Sequence, residues 1–219
     1  MNLTFAFFLL PFSFFGQGGA TRKTVSAVGG EEDVMRFAGS LLTSLLVLTL
    51  AGCSAVYVTQ PIGEKPCKIK AKDWEGTWIH KDGSVTVRVM DGENGQLRIA
   101  WIEPKDNGFT FETHDVELRE AGSQMFANIK DDANTNEPRY LWARIKGDGN
   151  QVIVWLPDAT KFRALVEEQK IPGRIEGEND VILDTLELKH LRIIAGEQEG
   201  MLFVWEEPIV LFRFTRGGD

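Results

Sequence analysis

The stretch SVTVRVMDGENGQLRIAWIE, residues 84–103, decides the fold class. Apolar side chains occupy every second position in both of its halves, at Val85, Val87, Val89, Leu97, Ile99 and Trp101. Such alternation is typical of a strand with one buried face. Residues 91–95 (DGENG) lie between the halves and suit a tight turn, because Gly and Asn tolerate a positive φ. The stretch therefore predicts a β-hairpin.

The same alternation continues on both sides of this hairpin. It predicts seven strands, at residues 77–80, 84–91, 96–103, 109–119, 124–130, 139–146 and 151–156. The connections between them are short, and short connections make consecutive strands antiparallel neighbours. Two last strands are predicted at residues 201–205 and 208–215.

Between these groups of strands the apolar spacing becomes helical. Asp158 is a good N-cap, and the apolar positions that follow it have helical spacing until Pro172. A second short helix is predicted from Asp184 or Thr185 to about Ile194. The sequence therefore predicts a mainly β domain: an antiparallel meander of seven to nine strands that closes into a barrel, with two short helices before the last strands.

A different motif precedes the strands. Leu50-Ala51-Gly52-Cys53 follows an apolar run and resembles the lipobox of bacterial lipoproteins. Met35 and Arg36 supply a start and a positive charge, and the run from Phe37 is shorter than the roughly 20 residues that a membrane-spanning helix needs. The resemblance implies that the Cys53 thiol carries a diacylglyceryl chain and that the residues before it are removed.

These readings divide the chain into four parts. Residues 1–34 are expected to be an over-extended start or a leader outside the fold, and residues 35–52 a lipoprotein signal peptide. Residues 53–72 contain Pro61, Gly63 and Pro66 and are expected to form an extended, lipidated tether. Residues 73–219 are expected to form the barrel domain.

The charge balance limits the partners of the protein. The net charge is −8, and three basic and three acidic residues precede Cys53, so the remainder has the same net charge. A negative surface argues against nucleic acid, which needs positive side chains. Ser54 is uncharged, as in the lipoproteins that are sent to an outer membrane. We therefore expect contact with a membrane through the lipid, and a location in the cell envelope, at the outer membrane facing the periplasm.

A second resemblance concerns the barrel itself. Gly76-Thr77-Trp78 is similar to the Gly-x-Trp motif in the first strand of lipocalins. In that family the Trp fills the closed end of the barrel beneath a basic side chain from near the final strand. The resemblance implies structural roles for Gly76 and Trp78, and it makes Arg213 or Arg216 the partner of the Trp through a cation–aromatic contact.

No residue pattern points to catalysis or to a metal. The chain has no nucleophile elbow, no phosphate-binding Gly-rich loop and no His-Glu-x-x-His. The three histidines, His80, His114 and His190, lie far apart in sequence and are expected to be surface or partly buried residues. Once Cys53 is lipidated, Cys67 has no cysteine to pair with and is expected to be an unpaired side chain. We expect neither an enzyme nor a cofactor.

Six tryptophans follow Cys53 and are spread over most of the predicted strands. Most are expected to fill the core, but strand parity makes Trp101 and Trp142 candidates for lining a ligand cavity at the mouth of the barrel. Two functions stay open at this point. One is a barrel that binds a small hydrophobic or amphipathic ligand, and the other is a structural or assembly protein. The second would dock another envelope protein through a sheet face or through the helices of Phe162 and Leu191.

Overall fold

The computed structural model describes residues 54–132, 137–177, 179–196 and 202–215. These residues form twelve strands: β1 (Val56–Val58), β2 (Lys65–Pro66), β3 (Gly76–His80), β4 (Gly83–Asp91), β5 (Gln96–Lys105), β6 (Gly108–Ala121), β7 (Gln124–Lys130), β8 (Tyr140–Gly147), β9 (Gln151–Trp155), β10 (Gly173–Glu176), β11 (Asp180–Leu183) and β12 (Ile209–Arg213). They also contain three short helices: α1 (Ala71–Trp74), α2 (Ala159–Glu167) and α3 (Leu188–Ala195). None of these helices has the length and apolar character that crossing a bilayer requires.

Eight of the strands close into an antiparallel barrel. Strands β3 to β9 pair consecutively as hairpins, and β12 returns to lie between β9 and β3. The predicted fold class is confirmed, since the observed eight strands fall within the predicted seven to nine. The central hairpin has the predicted register, with Val85 opposite Trp101 and Val89 opposite Leu97.

The turn of this hairpin requires a glycine. Gly95 has a φ of 65°, and a Cβ atom there would lie 2.5 Å from the carbonyl oxygen of Leu118. The turn is packed this closely because it continues the pairing of β5 with β6: the backbone N–H of Leu118 donates to the Gly95 carbonyl.

Two apolar cores lie on opposite faces of the barrel wall. The barrel core contains the inward side chains of alternate strand positions, including Trp78, Val85, Leu97, Val116 and Ile145, all nearly inaccessible to solvent. The outer core lies against the outer face of β7 and β8, where Phe126 and Trp142 meet side chains of β1, β11, α2 and α3. The chain after β9 thus builds a second packed layer outside the barrel.

The segment expected to be a tether is instead part of the fold, so the predicted boundary at residue 73 is wrong for residues 54–72. Strand β1 pairs with β11 in parallel and with β8 in antiparallel orientation, and both Val56 and Val58 are buried. The side-chain amide of Asn128 accepts a hydrogen bond from the Ile62 N–H at 2.7 Å and donates to the Ile62 carbonyl. Pro61 therefore lies among bends of a chain that packs along the barrel, while Pro66 lies in β2 and pairs with β6.

The late part of the chain differs from the prediction in two places. Helix α3 begins at Leu188, later than predicted, because the Glu187 carboxylate and the His190 imidazole form a capping box at that point. Residues 202–205 form no strand: they contain one isolated bridge, between Phe203 and Pro157. Helix α2 begins as predicted, since the Asp158 carboxylate accepts hydrogen bonds from the N–H groups of Thr160 and Lys161.

Candidate functional site

One end of the barrel is closed by an aromatic plug. The Trp78 side chain is 1 % exposed, and its indole N–H donates to the carbonyl of Trp74 in α1 at 2.9 Å. The Arg213 guanidinium carbon lies 4.6 Å from the centre of a Trp78 ring, within the range of a cation–π contact. The contact implied by the Gly-x-Trp resemblance is therefore present with Arg213, while Arg216 lies outside the described residues.

Arg213 also binds backbone carbonyl groups near α1 and in the β8–β9 turn. Its guanidinium donates to three backbone carbonyls: Asp73 at 2.5 Å, Glu75 at 2.9 Å and Gly149 at 2.6 Å. The Gly76 backbone next to it has a φ of 131°, which favours glycine. This end of the barrel is thus sealed by α1, by the β8–β9 turn and by one arginine that satisfies three carbonyl groups.

The opposite end of the barrel has a different set of inward side chains. We define the mouth cluster as His80 on β3, Trp101 on β5, and Glu112 and His114 on β6. Strand alternation directs all four inward, because each has the same parity as a barrel-core residue of its own strand, for example Trp78, Leu97 and Val116. Their side chains are partly exposed, unlike those of the core residues beneath them. These partly exposed groups therefore lie at the end of the barrel opposite the Trp78 plug.

The mouth cluster combines an aromatic surface with hydrogen-bonding groups. The rings of His80 and Trp101 are 6.0 Å apart, and Glu112 is the direct cross-strand neighbour of Trp101. The His114 Nε2 atom lies 3.7 Å from a Glu112 carboxylate oxygen. Burial lowers the pKa of His80, although nearby Asp82 partly opposes the shift, and a lower pKa favours the neutral imidazole at neutral pH. The cluster thus places one indole ring, one carboxylate and two imidazoles side by side at one end of the barrel.

The structure does not bring the two predicted ligand tryptophans together. Trp101 lies at the mouth and packs against the barrel core. Trp142 lies on the other face of the wall, 3 % exposed, with edge-on contacts to Phe126, Phe162 and Phe203 at ring distances of 5.4–5.9 Å. The parity argument placed Trp142 on the wrong face, because the alternate residues Leu141 and Ala143 pair with the inward positions of β7.

The sequence did not predict that His80, Glu112 and His114 lie together, although the two histidines are partly buried, as expected. His80 is two residues from the inward Trp78, and His114 is two residues from the inward Val116. Counting in steps of two along each strand would have found them. His190 has a structural role, since its Nδ1 accepts the N–H of Glu187 at the start of α3.

Cys67 is a buried free thiol in the segment that closes the barrel. Its backbone N–H donates to the carbonyl of Leu118, and its side chain is 1 % exposed. Burial, which disfavours the thiolate, raises the pKa of Cys67 to about 11. This thiol is therefore not an activated nucleophile.

Slow alkylation of Cys67 in the folded protein is the expected result at pH 8. The thiolate is the reactive form, it is scarce well below a pKa of about 11, and the side chain is inaccessible. Peptide mass spectrometry after iodoacetamide treatment, with and without denaturant, measures this residue separately from Cys53. Equal labelling rates in the two conditions would place Cys67 on the surface.

The outer surface also has a small cavity of about 220 Å³ between β10, β11 and the start of β8. Its lining includes Arg139 and Arg174, but both guanidiniums bind carboxylates: Arg139 binds Asp131 at 2.7 Å, and Arg174 binds Glu137. Ligand pockets are usually larger, and these paired charges offer no open binding group. We therefore place the candidate site at the mouth.

Several sequence predictions fall outside the described residues. Cys53, the lipobox and residues 1–52 are among them.

Among the residues that the structure describes, no group of three His, Cys, Asp or Glu side chains is arranged to hold a metal ion. Comparison with protein family models, with curated proteins and with solved structures finds no match to this chain.

Proposed function

We propose that this chain is a lipid-anchored, non-catalytic protein of the cell envelope whose barrel binds a small hydrophobic or amphipathic ligand at the mouth cluster. The observation that carries the proposal is the contrast between the two ends of the barrel. The Trp78 end is sealed by side chains and α1, while the other end presents partly exposed inward groups. A partly exposed indole beside a carboxylate and two imidazoles suits a ligand with one apolar and one polar end.

The lipid anchor of the proposal rests on the lipobox. With Cys53 acylated, the protein faces the periplasm at the outer membrane. Strand β1 begins at Val56, and the Ala55 N–H already donates to the Asp180 carboxylate. The folded body would then lie directly on the bilayer surface, where an amphipathic ligand is concentrated.

Native mass spectrometry of the full chain, extracted in mild detergent from its own host, tests the binding proposal. We expect a retained adduct of constant mass. Trp101→Ala should remove that adduct, because it deletes the largest apolar contact at the mouth. The matched control is Trp155→Ala, which truncates a tryptophan that contacts the outer core instead. A wild-type chain without any adduct, or equal loss in both variants, contradicts binding at the mouth.

The Cys53→Ser variant tests the anchor independently. We expect labelled fatty acid fed to cells to enter the wild-type chain alone, and the variant to accumulate as unprocessed precursor. The Cys67→Ser variant is the control, because that thiol is buried and should not affect acylation. Incorporation of label into the Cys53→Ser variant would contradict the lipoprotein proposal.

A second candidate function, docking of another envelope protein, is favoured by one observation on the outer wall. Phe212 and Phe214 are both more than half exposed, and Phe212 lies directly opposite the exposed Ile79. The helices are less suited to docking than the sequence suggested, since Phe162 and Leu191 face the outer core and are buried. In this alternative, the partner protein would therefore dock on the outer sheet face at Phe212 and Ile79.

A further inference from the structure

Within the described part of the chain, strand β6 has an open edge over its first eight residues, 108–115. Its pairing with β5 runs from Gly108 to Glu117, whereas its pairing with β7 begins only at Val116. In the part of the chain that the structure describes, no strand pairs with residues 108–113 on the side away from β5. Five of these six residues are exposed, and Glu112 is partly exposed. Among the described residues, the β5–β6 hairpin thus has one edge without a strand partner.

Of the features that normally protect such strands, this edge carries one, the inward-pointing charge of Glu112. Natural sheets place lysine, proline or bulges on open edges, because free N–H and C=O groups recruit other strands. Residues 108–113 contain none of these, and they present Phe109 and Phe111, 76 % and 64 % exposed, on one face. An open edge that also carries two exposed aromatic rings fits a strand partner.

We propose that the partner is the same edge of a second copy of this chain, paired antiparallel about a two-fold axis at Thr110. A two-fold contact requires a surface that complements itself. In this register Phe109 of each copy lies opposite Phe111 of the other, and the two Thr110 residues face each other. Aromatic–aromatic and Thr–Thr pairs are among the stabilising cross-strand pairs of antiparallel sheets.

Neighbouring registers are less favourable. A shift that centres the axis on Glu112 places two carboxylates opposite each other, which is destabilising. A shift that centres the axis on Phe111 places the two Phe111 residues opposite each other and leaves Phe109 opposite Thr113. That register has one aromatic pair instead of two. A shift by one residue on one copy reverses which face each side chain points to. The side chains of residues 109–112 therefore select the Thr110 register.

Cysteine crosslinking of the full chain in cells tests this pairing. Directly opposite residues have Cβ atoms about 4.5–5.5 Å apart. Under mild oxidation, most molecules of the Thr110→Cys variant should therefore form a disulfide-linked dimer. Glu112→Cys is the matched control on the same face. In the proposed register its two copies are displaced by four residues, roughly 14 Å, and should not crosslink. The unsubstituted chain, with Cys53 and Cys67, gives the background.

A second pair of variants distinguishes pairing through the β6 edge from non-specific association through exposed aromatic side chains. Phe111→Lys in the Thr110→Cys background should reduce the dimer to background level, because it removes both aromatic pairs and places a charge on the edge. Phe212→Lys should leave the dimer yield unchanged: Phe212 is similarly exposed, but its strand is paired on both sides. Absence of the Thr110→Cys dimer, equal crosslinking of Glu112→Cys, or an adduct with a different protein would each overturn the proposal.

Discussion

Replacing Trp78 with alanine is expected to lower the free energy of unfolding by about 3–5 kcal/mol, the range for truncating a large aromatic side chain in a packed core. The side chain is 1 % exposed, and the substitution also removes the indole hydrogen bond to Trp74 and the ring beneath the Arg213 guanidinium. The midpoint and slope of urea unfolding, followed by far-UV circular dichroism, measure the change.

Ile79→Ala is the control for this prediction. Ile79 is the next residue of β3, it points to the outer face, and it is 41 % exposed, so its truncation should cost well under half as much. A Trp78→Ala midpoint equal to that of the wild type would mean that the plug is not packed as described. A double-mutant cycle with Arg213→Met isolates the cation–π contact, which should contribute about 0.5–2 kcal/mol.

Trp142→Ala is expected to destabilise the protein by a similar amount, about 3–5 kcal/mol, and to leave ligand binding at the mouth intact. Trp142 lies at the centre of the outer core among Phe126, Phe162 and Phe203. Its loss opens a cavity between the barrel wall and α2 rather than inside the barrel. Urea unfolding gives the stability, and native mass spectrometry of the folded variant gives the adduct.

Trp142→Phe refines this test. The Trp142 indole N–H is buried and has no hydrogen-bond acceptor among the described residues, so phenylalanine removes this donor together with some volume. Its cost should therefore be clearly smaller than that of alanine. Loss of the adduct in a folded Trp142→Ala variant would connect Trp142 to the ligand after all, as strand parity alone had suggested.

The barrel was predictable because its signal is local. Alternation such as that of Val85, Val87 and Val89 depends on one buried face, and each hairpin closes through a short turn that the sequence marks. Residues 109–119 of β6 were also predicted as a strand, although not as an edge. Whether a strand has one neighbour or two depends on where the next strand ends, and β7 ends at Lys130.

The segments that sequence reasoning missed take their structure from distant residues. Strand β1 is three residues long and pairs with β11, more than a hundred residues later, so nothing nearby indicates a strand. Pro61 and Pro66 favoured a tether, yet Ile62 is held by the Asn128 side chain. In both cases long-range pairing overrides local composition.

The candidate site was only partly predictable for the same reason. Trp101 was placed correctly inside the barrel, because its strand alternates regularly. Trp142 follows the buried Leu141 and precedes the buried Ala143, so all three residues are apolar and period-two counting cannot choose the inner face. A strand that is buried on both faces has apolar residues at every position, so alternation cannot identify its inner face. Here the outer face of β8 is buried by α2, α3, β1 and β11.

The position of β12 determines when the barrel can form. The Arg213 guanidinium binds the carbonyls of Asp73 and Glu75, about 140 residues earlier in the chain. Until the last strand has been synthesised and has docked, both β3 and β9 lack a neighbour on one side, and the plug has no cation above it. Closure is therefore a late step with a large loop-closure entropy, which favours slow folding. Before this step the newly made chain has two open sheet edges, which are the sites where it could pair with other chains.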